Sequence, residues 1–149
     1  MAVTATPIFP QAVVTSQAVL VNSTGAFTFA VGNTTTNLVS VVAGGTNGTI
    51  IEGISITTTD TSANTVWFVL NDGSKNTILT VALVALTSGT TGSLACFDLF
   101  RSINVPGLPY DVNGNRVLYI PNGTTLYAGT TAAVTAAKQV SIVASGGNL

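Results

Sequence analysis

The sequence predicts an all-β chain, a jelly-roll-like antiparallel β-sandwich with an extended N-terminal arm. Val, Ile, Thr and aromatic residues recur in short runs, and these are the side chains that suit a pleated, half-buried surface. Clusters of Gly, Asn, Asp and Pro separate the runs with turn chemistry. Helical periodicity is thin. About eight or nine short strands with regular turns between them fit a sandwich or jelly roll. The 149 residues make one domain, read here as an arm over residues 1–11 and a single β-sandwich over residues 12–149. A hydrophobic fraction of 46% argues against disorder and for a real core.

The chain opens with the arm. Pro7 and Pro10 exclude both a helix interior and a central strand, and they bias Thr6 and Phe9 toward extended geometry. Ile8 and Phe9 place apolar side chains there, which predicts docking on this domain or on a neighbour. Ala12 to Val21 reads as one strand, or as two joined at a kink. Phe27, Phe29 and Val31 alternate with Thr28 and Ala30, the period of a strand. Leu38 to Val42 is a short apolar strand. Ile50 to Thr57 alternates less strictly, with Ile54 and Ile56 on one face. Thr65 to Leu70, around Trp67, and Thr77 to Leu86 are strongly apolar strands. Val117 to Ile120, Thr125 to Ala128 and Gln139 to Ala144 complete the set.

Between them, Asn71-Asp72-Gly73 is a strong hairpin signal. Gly44 to Gly48 and Asp60 to Asn64 read as loops. Pro121-Asn122-Gly123 is expected to set Pro at the second turn position and Gly at the fourth. Asn113-Gly114 is a further tight turn. Two segments carry some helical character. Ser93 could cap a short turn through Leu94, Phe97 and Phe100, ended by Pro106 and Pro109. The alanine-rich stretch Thr131 to Lys138 could be helical or could lead into the last strand.

The chemistry is sparse. The chain has no histidine, one cysteine, and only four basic and five acidic residues. Proton transfer, metal binding and nucleophilic attack mostly use His, Cys and clustered carboxylates. The composition therefore predicts no enzyme, no cofactor and no metal site. Lys75, Arg101, Arg116 and Lys138 are far apart, so no cationic stripe faces phosphates and no direct nucleic-acid binding is expected. The longest apolar stretch, Ile78 to Leu86 interrupted by Thr80, falls far short of the ~20 residues of a membrane helix. No basic segment followed by an apolar run marks a signal peptide. Cys96, between Ala95 and Phe97, reads as a small buried hydrophobe, with Arg101 the nearby cation.

Other candidate sites are weak. Asp111-Val112-Asn113-Gly114-Asn115 starts like a calcium loop, but Arg116 stands at the sixth position and Asn122 at the twelfth, so a polar turn is the better reading. Glu52, Asp60, Asp72, Asp98 and Asp111 are scattered singly rather than paired for glycoside hydrolysis. The glycosylation patterns at Asn22, Asn33, Asn47 and Asn122 read as turns rich in Asn and Thr. Trp67 is expected in the core or an interface, whereas Tyr110, Tyr119 and Tyr127 could lie at the surface and stack on sugars. A surface of Thr, Ser, Asn and Gly with 6% charged residues suits a subunit whose faces are covered in an assembly.

Several stretches carry a resemblance: Thr6-Pro7-Ile8-Phe9-Pro10, Leu108 to Asn115, Pro121-Asn122-Gly123-Thr124, and Ala133 to Lys138 with Gly146-Gly147. In these the chain resembles the decoration, or cement, proteins on the capsids of tailed bacteriophages. The resemblance implies a jelly roll or related sandwich on the outer surface of the virion, favouring a homotrimer. It implies the major capsid protein as partner, with neighbouring capsomers bridged so that the DNA-filled head is stabilised. It also implies that Thr6, Pro7, Ile8, Phe9 and Pro10 clip the subunit to the shell, with Ile8 and Phe9 as anchors. A tail, neck or fibre subunit and a glycan-binding sandwich are the alternatives.

Overall fold

The computed structural model describes residues 12–86, 95–101, 105 and 107–149. Within them lie the strands β1 (Ala12–Val21), β2 (Val39–Ala43), β3 (Thr49–Thr58), β4 (Asn64–Asn71), β5 (Asn76–Leu86), β6 (Ala95–Asp98), β7 (Leu118–Ile120), β8 (Thr125–Thr130) and β9 (Gln139–Asn148). They form two antiparallel sheets. One runs β1-β9-β3-β6, with β7 also paired to β3, and the other runs β2-β8-β4-β5. The predicted arm, residues 1–11, lies outside the described residues.

The core sits between the sheets. Ala18 and Leu20 of β1, Ile54 and Ile56 of β3, and Val140, Ile142 and Ala144 of β9 come from one side. Val41 and Val42 of β2, Val66 and Phe68 of β4, and Leu126 and Ala128 of β8 come from the other. Strand pleating explains the choice: alternate side chains point to opposite faces, so each strand gives one set to the core and the other outward. The chain is thus an all-β antiparallel sandwich.

Bulges change the phase of that alternation, as β3 and β2 show. In β3 the register against β9 shifts between Ile51 and Gly53, leaving Glu52 as the extra residue. Thr49 and Ile51 are buried before it, and Ile54, Ile56 and Thr58 after it, so the buried positions switch from odd to even. This is why the alternation over Ile50 to Thr57 reads as imperfect. In β2 the shift falls between Ser40 and Val42, and Val41 and Val42 are both buried.

Three local expectations are corrected. Phe27 to Val31 is not a strand. After a short 3₁₀ turn at Asn22–Thr24, Ala26 makes one bridge to Thr130 and the Phe27 N–H donates to the Thr130 carbonyl at 2.8 Å. The segment crosses the outer face of the β2-β8-β4-β5 sheet instead. Phe27 meets Trp67 edge-on, with ring centroids 6.1 Å apart, over Gly129, where any Cβ would meet Leu38 and Phe27. Asn71 and Asn76 then donate side-chain N–H bonds to the carbonyls of Asn33 (3.2 Å) and Thr34 (2.6 Å). Packing on a sheet face, not ladder pairing, buries Phe27, the first of the alternating set, while Val31 at its end stands in solvent.

Ala95–Asp98 is strand β6 rather than part of a helical turn, paired to β3 from Ser55↔Asp98 to Thr58↔Ala95. Ser93 and Leu94 of that expectation lie outside the described residues. Of the two readings of Thr131 to Lys138, the structure shows the second: a chain of bends and turns that leads into β9, with Ala137 at φ 60°. The Pro121 turn is offset by one residue. The Thr124 N–H donates to the Pro121 carbonyl at 3.1 Å, so Pro121 is first and Gly123 third, at φ 76°. A positive φ at the third position is what the glycine permits.

Candidate functional site

The residues expected to clip the chain to a partner, Thr6, Pro7, Ile8, Phe9 and Pro10, lie outside the described residues. Among the others, Cys96 is a correction: it is exposed, not buried. Its neighbour Phe97 pairs with the buried Ile56, while Cys96 pairs with Thr57, whose face of β3 points outward. The tyrosines are separately engaged. Tyr119 lies against Gly48, and its hydroxyl donates to the Asn47 carbonyl at 3.3 Å. The ring of Tyr110 lies 5.7 Å from the Arg116 guanidinium carbon, and Tyr127 is half-buried.

Folding also gathers charges that look scattered along the chain. The β3 bulge projects Glu52 outward. The end of β6 supplies Asp98, with Phe100 and Arg101 just beyond it. The Tyr110↔Arg116 bridge closes a hairpin that holds Asp111. Together Glu52, Asp98, Arg101, Asp111 and Arg116 line a cleft of about 390 Å³, five of the chain's nine charged side chains. Sequence reasoning could have found this only by placing the bulge.

The carboxylates in the cleft are tied to their own loops. Asp98 Oδ1 accepts the N–H groups of Phe100 (3.0 Å) and Arg101 (3.3 Å), and Oδ2 lies 3.4 Å from Arg101 Nε. Asp111 Oδ1 accepts the N–H groups of Asn113 and Asn115, both at 2.8 Å. The N–H of Asn115 most of all holds the Asp111 carboxyl below its ordinary range. That is the reverse of the raised pKa a general acid needs. Arg116 donates to the Val105 carbonyl.

The same pattern recurs outside the cleft. Asp72 Oδ1 accepts the N–H groups of Ser74 (2.9 Å) and Lys75 (2.8 Å), which hold its carboxyl below the ordinary range. Asp60 has no exposed surface. Its Oδ1 accepts from the Ser62 N–H (2.9 Å) and the Thr135 hydroxyl (2.7 Å). Its Oδ2 accepts from Asn64 Nδ2 (2.8 Å) and the Thr135 N–H (2.9 Å). Burial pushes this carboxyl up, but the four hydrogen bonds outweigh it and hold it well below the usual carboxylate range. Four of the five acids thus organise loops. Among the described residues no group of His, Cys, Asp and Glu is placed to hold a metal ion.

Comparison with protein-family models, with curated proteins and with solved structures found no match.

Proposed function

We propose that this chain is a structural protein of a bacteriophage virion that decorates and cements the capsid, bridging neighbouring capsomers on the outer surface of the head. The observation that carries this reading is a sandwich braced by its own acids. The side chains best suited to chemistry are spent holding loops still, and the exposed surface is almost uncharged. Such a body is suited to many repeated weak contacts that sum by multivalency.

The finer architecture belongs to the same proposal. The orders β1-β9-β3-β6 and β2-β8-β4-β5 support reading the sandwich as a double-sheet jelly roll. The stretch Leu108 to Asn115, part of the resemblance to decoration proteins, includes an exposed hairpin tip. Val112 stands fully in solvent there and Tyr110 is 63% exposed, which suits a contact surface. The partners are the major capsid protein and further copies of this chain, a trimer being favoured. The arm residues Thr6, Pro7, Ile8, Phe9 and Pro10 are the proposed clip.

The test is to add purified chain to capsids that lack it and measure co-sedimentation, with and without Met1 to Pro10. Saturable binding that weakens on deletion, with the far-ultraviolet spectrum unchanged, supports the proposal. A full-length chain with no affinity for such capsids overturns it. A deletion that unfolds the body overturns the clip.

A further inference from the structure

Sheet edges are where a β-protein is most open to another chain, and natural proteins blunt them with charges, proline, bulges or shortness. Three edges here follow that rule. β2 spans five residues and carries a bulge. Beyond β3, the four-residue β6 and three-residue β7 each cover only part of its length. β5 is long, but its register against β4 shifts twice.

β1 has none of these devices. Its ten residues, Ala12–Val21, contain no charge, proline or glycine. Its register against β9 runs unbroken from Ala12↔Asn148 to Val21↔Gln139. Its outward row is Val13 (89% exposed), Thr15, Gln17, Val19 (42%) and Val21 (37%).

That row is close to symmetric about its centre. In an antiparallel pairing of two β1 strands centred on Gln17, Val13 faces Val21, Thr15 faces Val19, and Gln17 faces its own copy. Apolar side chains meet apolar or β-branched ones, and two amides meet at the axis, where each can donate and accept. No like charges oppose one another. Self-complementary matching of this kind is what a two-fold interface requires. We infer that the edge of β1, which pairs with no further strand among the described residues, is a docking surface for β1 of a second copy, joined antiparallel about Gln17 into one continuous sheet. A two-fold contact cannot close a trimer, so in the assembly proposed above it joins copies from adjoining three-fold units. It gives the proposed self-association a surface and a symmetry, and it does not depend on the capsid.

Disulfide trapping tests it in the full chain, in a Cys96→Ser background. Gln17→Cys should form linked dimers at least about tenfold faster than Val13→Cys, because only residue 17 meets itself and a disulfide requires close Cβ atoms. Mixed chains carrying Val13→Cys and Val21→Cys should link to each other. Gln17→Lys sets like charges opposite and should lower the mass seen by sedimentation equilibrium while the circular dichroism spectrum stays unchanged. Equal trapping rates at 13 and 17, or a parent chain monomeric at every concentration, overturns the inference. Capsid binding is measured separately, so failure here leaves that proposal standing.

Discussion

Asp60→Asn changes two atoms' chemistry and almost no volume, so it isolates what the buried carboxylate contributes. Asp60 joins the loop after β3 to the start of β4 through Ser62 and Asn64, and to the segment before β9 through Thr135. An amide keeps one acceptor and gains an NH₂ group. If the NH₂ takes the place of Oδ2, it faces the Thr135 N–H; if it takes the place of Oδ1, it faces the Ser62 N–H. Either way one backbone donor loses its acceptor, at roughly 1–3 kcal/mol, and the remaining bonds lose charge assistance worth about 1 kcal/mol. We expect a loss of about 3 kcal/mol, out of a total stability of order 5–15 kcal/mol.

Urea unfolding at neutral pH reads this directly. With a slope of about 2 kcal/mol per molar, the midpoint should fall by about 1.5 M. The pH dependence supplies a second check. The folded carboxyl titrates below its ordinary value, so its stabilisation is complete above the unfolded pKa of about 3.9 and is lost as pH falls through the folded pKa. The gap between parent and variant should therefore be full at neutral pH and shrink in acid. A midpoint change under about 0.3 M, or a gap independent of pH, would refute the reasoning.

Gly146→Ala should be severe. At the β3 bulge an added Cβ would overlap the Ile50 carbonyl and sit 2.8 Å from Ile51 Cα, both backbone atoms with no room to give. A loss of about 3 kcal/mol, or about 10 °C in thermal midpoint, is expected, and an unchanged midpoint would contradict the close approach of β9 to β3. Cys96 should react with an aromatic disulfide reagent in the native state within about tenfold of its rate in urea, since access and thiolate fraction set the rate. Protection by a factor of a hundred or more would place it in the interior after all.

The strands were legible because sheet pairing leaves a local trace. In β9, Val140, Ile142 and Ala144 alternate with outward residues, and that period of two survives in any all-β context. The Asn71-Asp72-Gly73 hairpin was legible for a similar reason. Gly73 takes φ 84°, and the Asp72 carboxylate closes the turn on itself. Phe27 to Val31 carries the same alternation, but Phe27 finds its partner Trp67 across a sheet face rather than along an edge, and Val31 stays in solvent. β6 shows the opposite case. Four residues are too few to display a period, and Leu94, Phe97 and Phe100 happen to fall three apart.

The sequence by itself determined the all-β fold class, because alternation and turn residues are properties of neighbours in the chain. Tertiary structure decided the rest. Bulges set which residues face inward, so one inserted position at Glu52 moved a carboxylate into a shared cleft with Asp98 and Asp111. Pairing with β3 turned Cys96 outward. Order within the sheets left β1 as the long unguarded edge. Each outcome depends on residues tens of positions apart meeting in register, and register is fixed by which faces can be buried together, not by any local run.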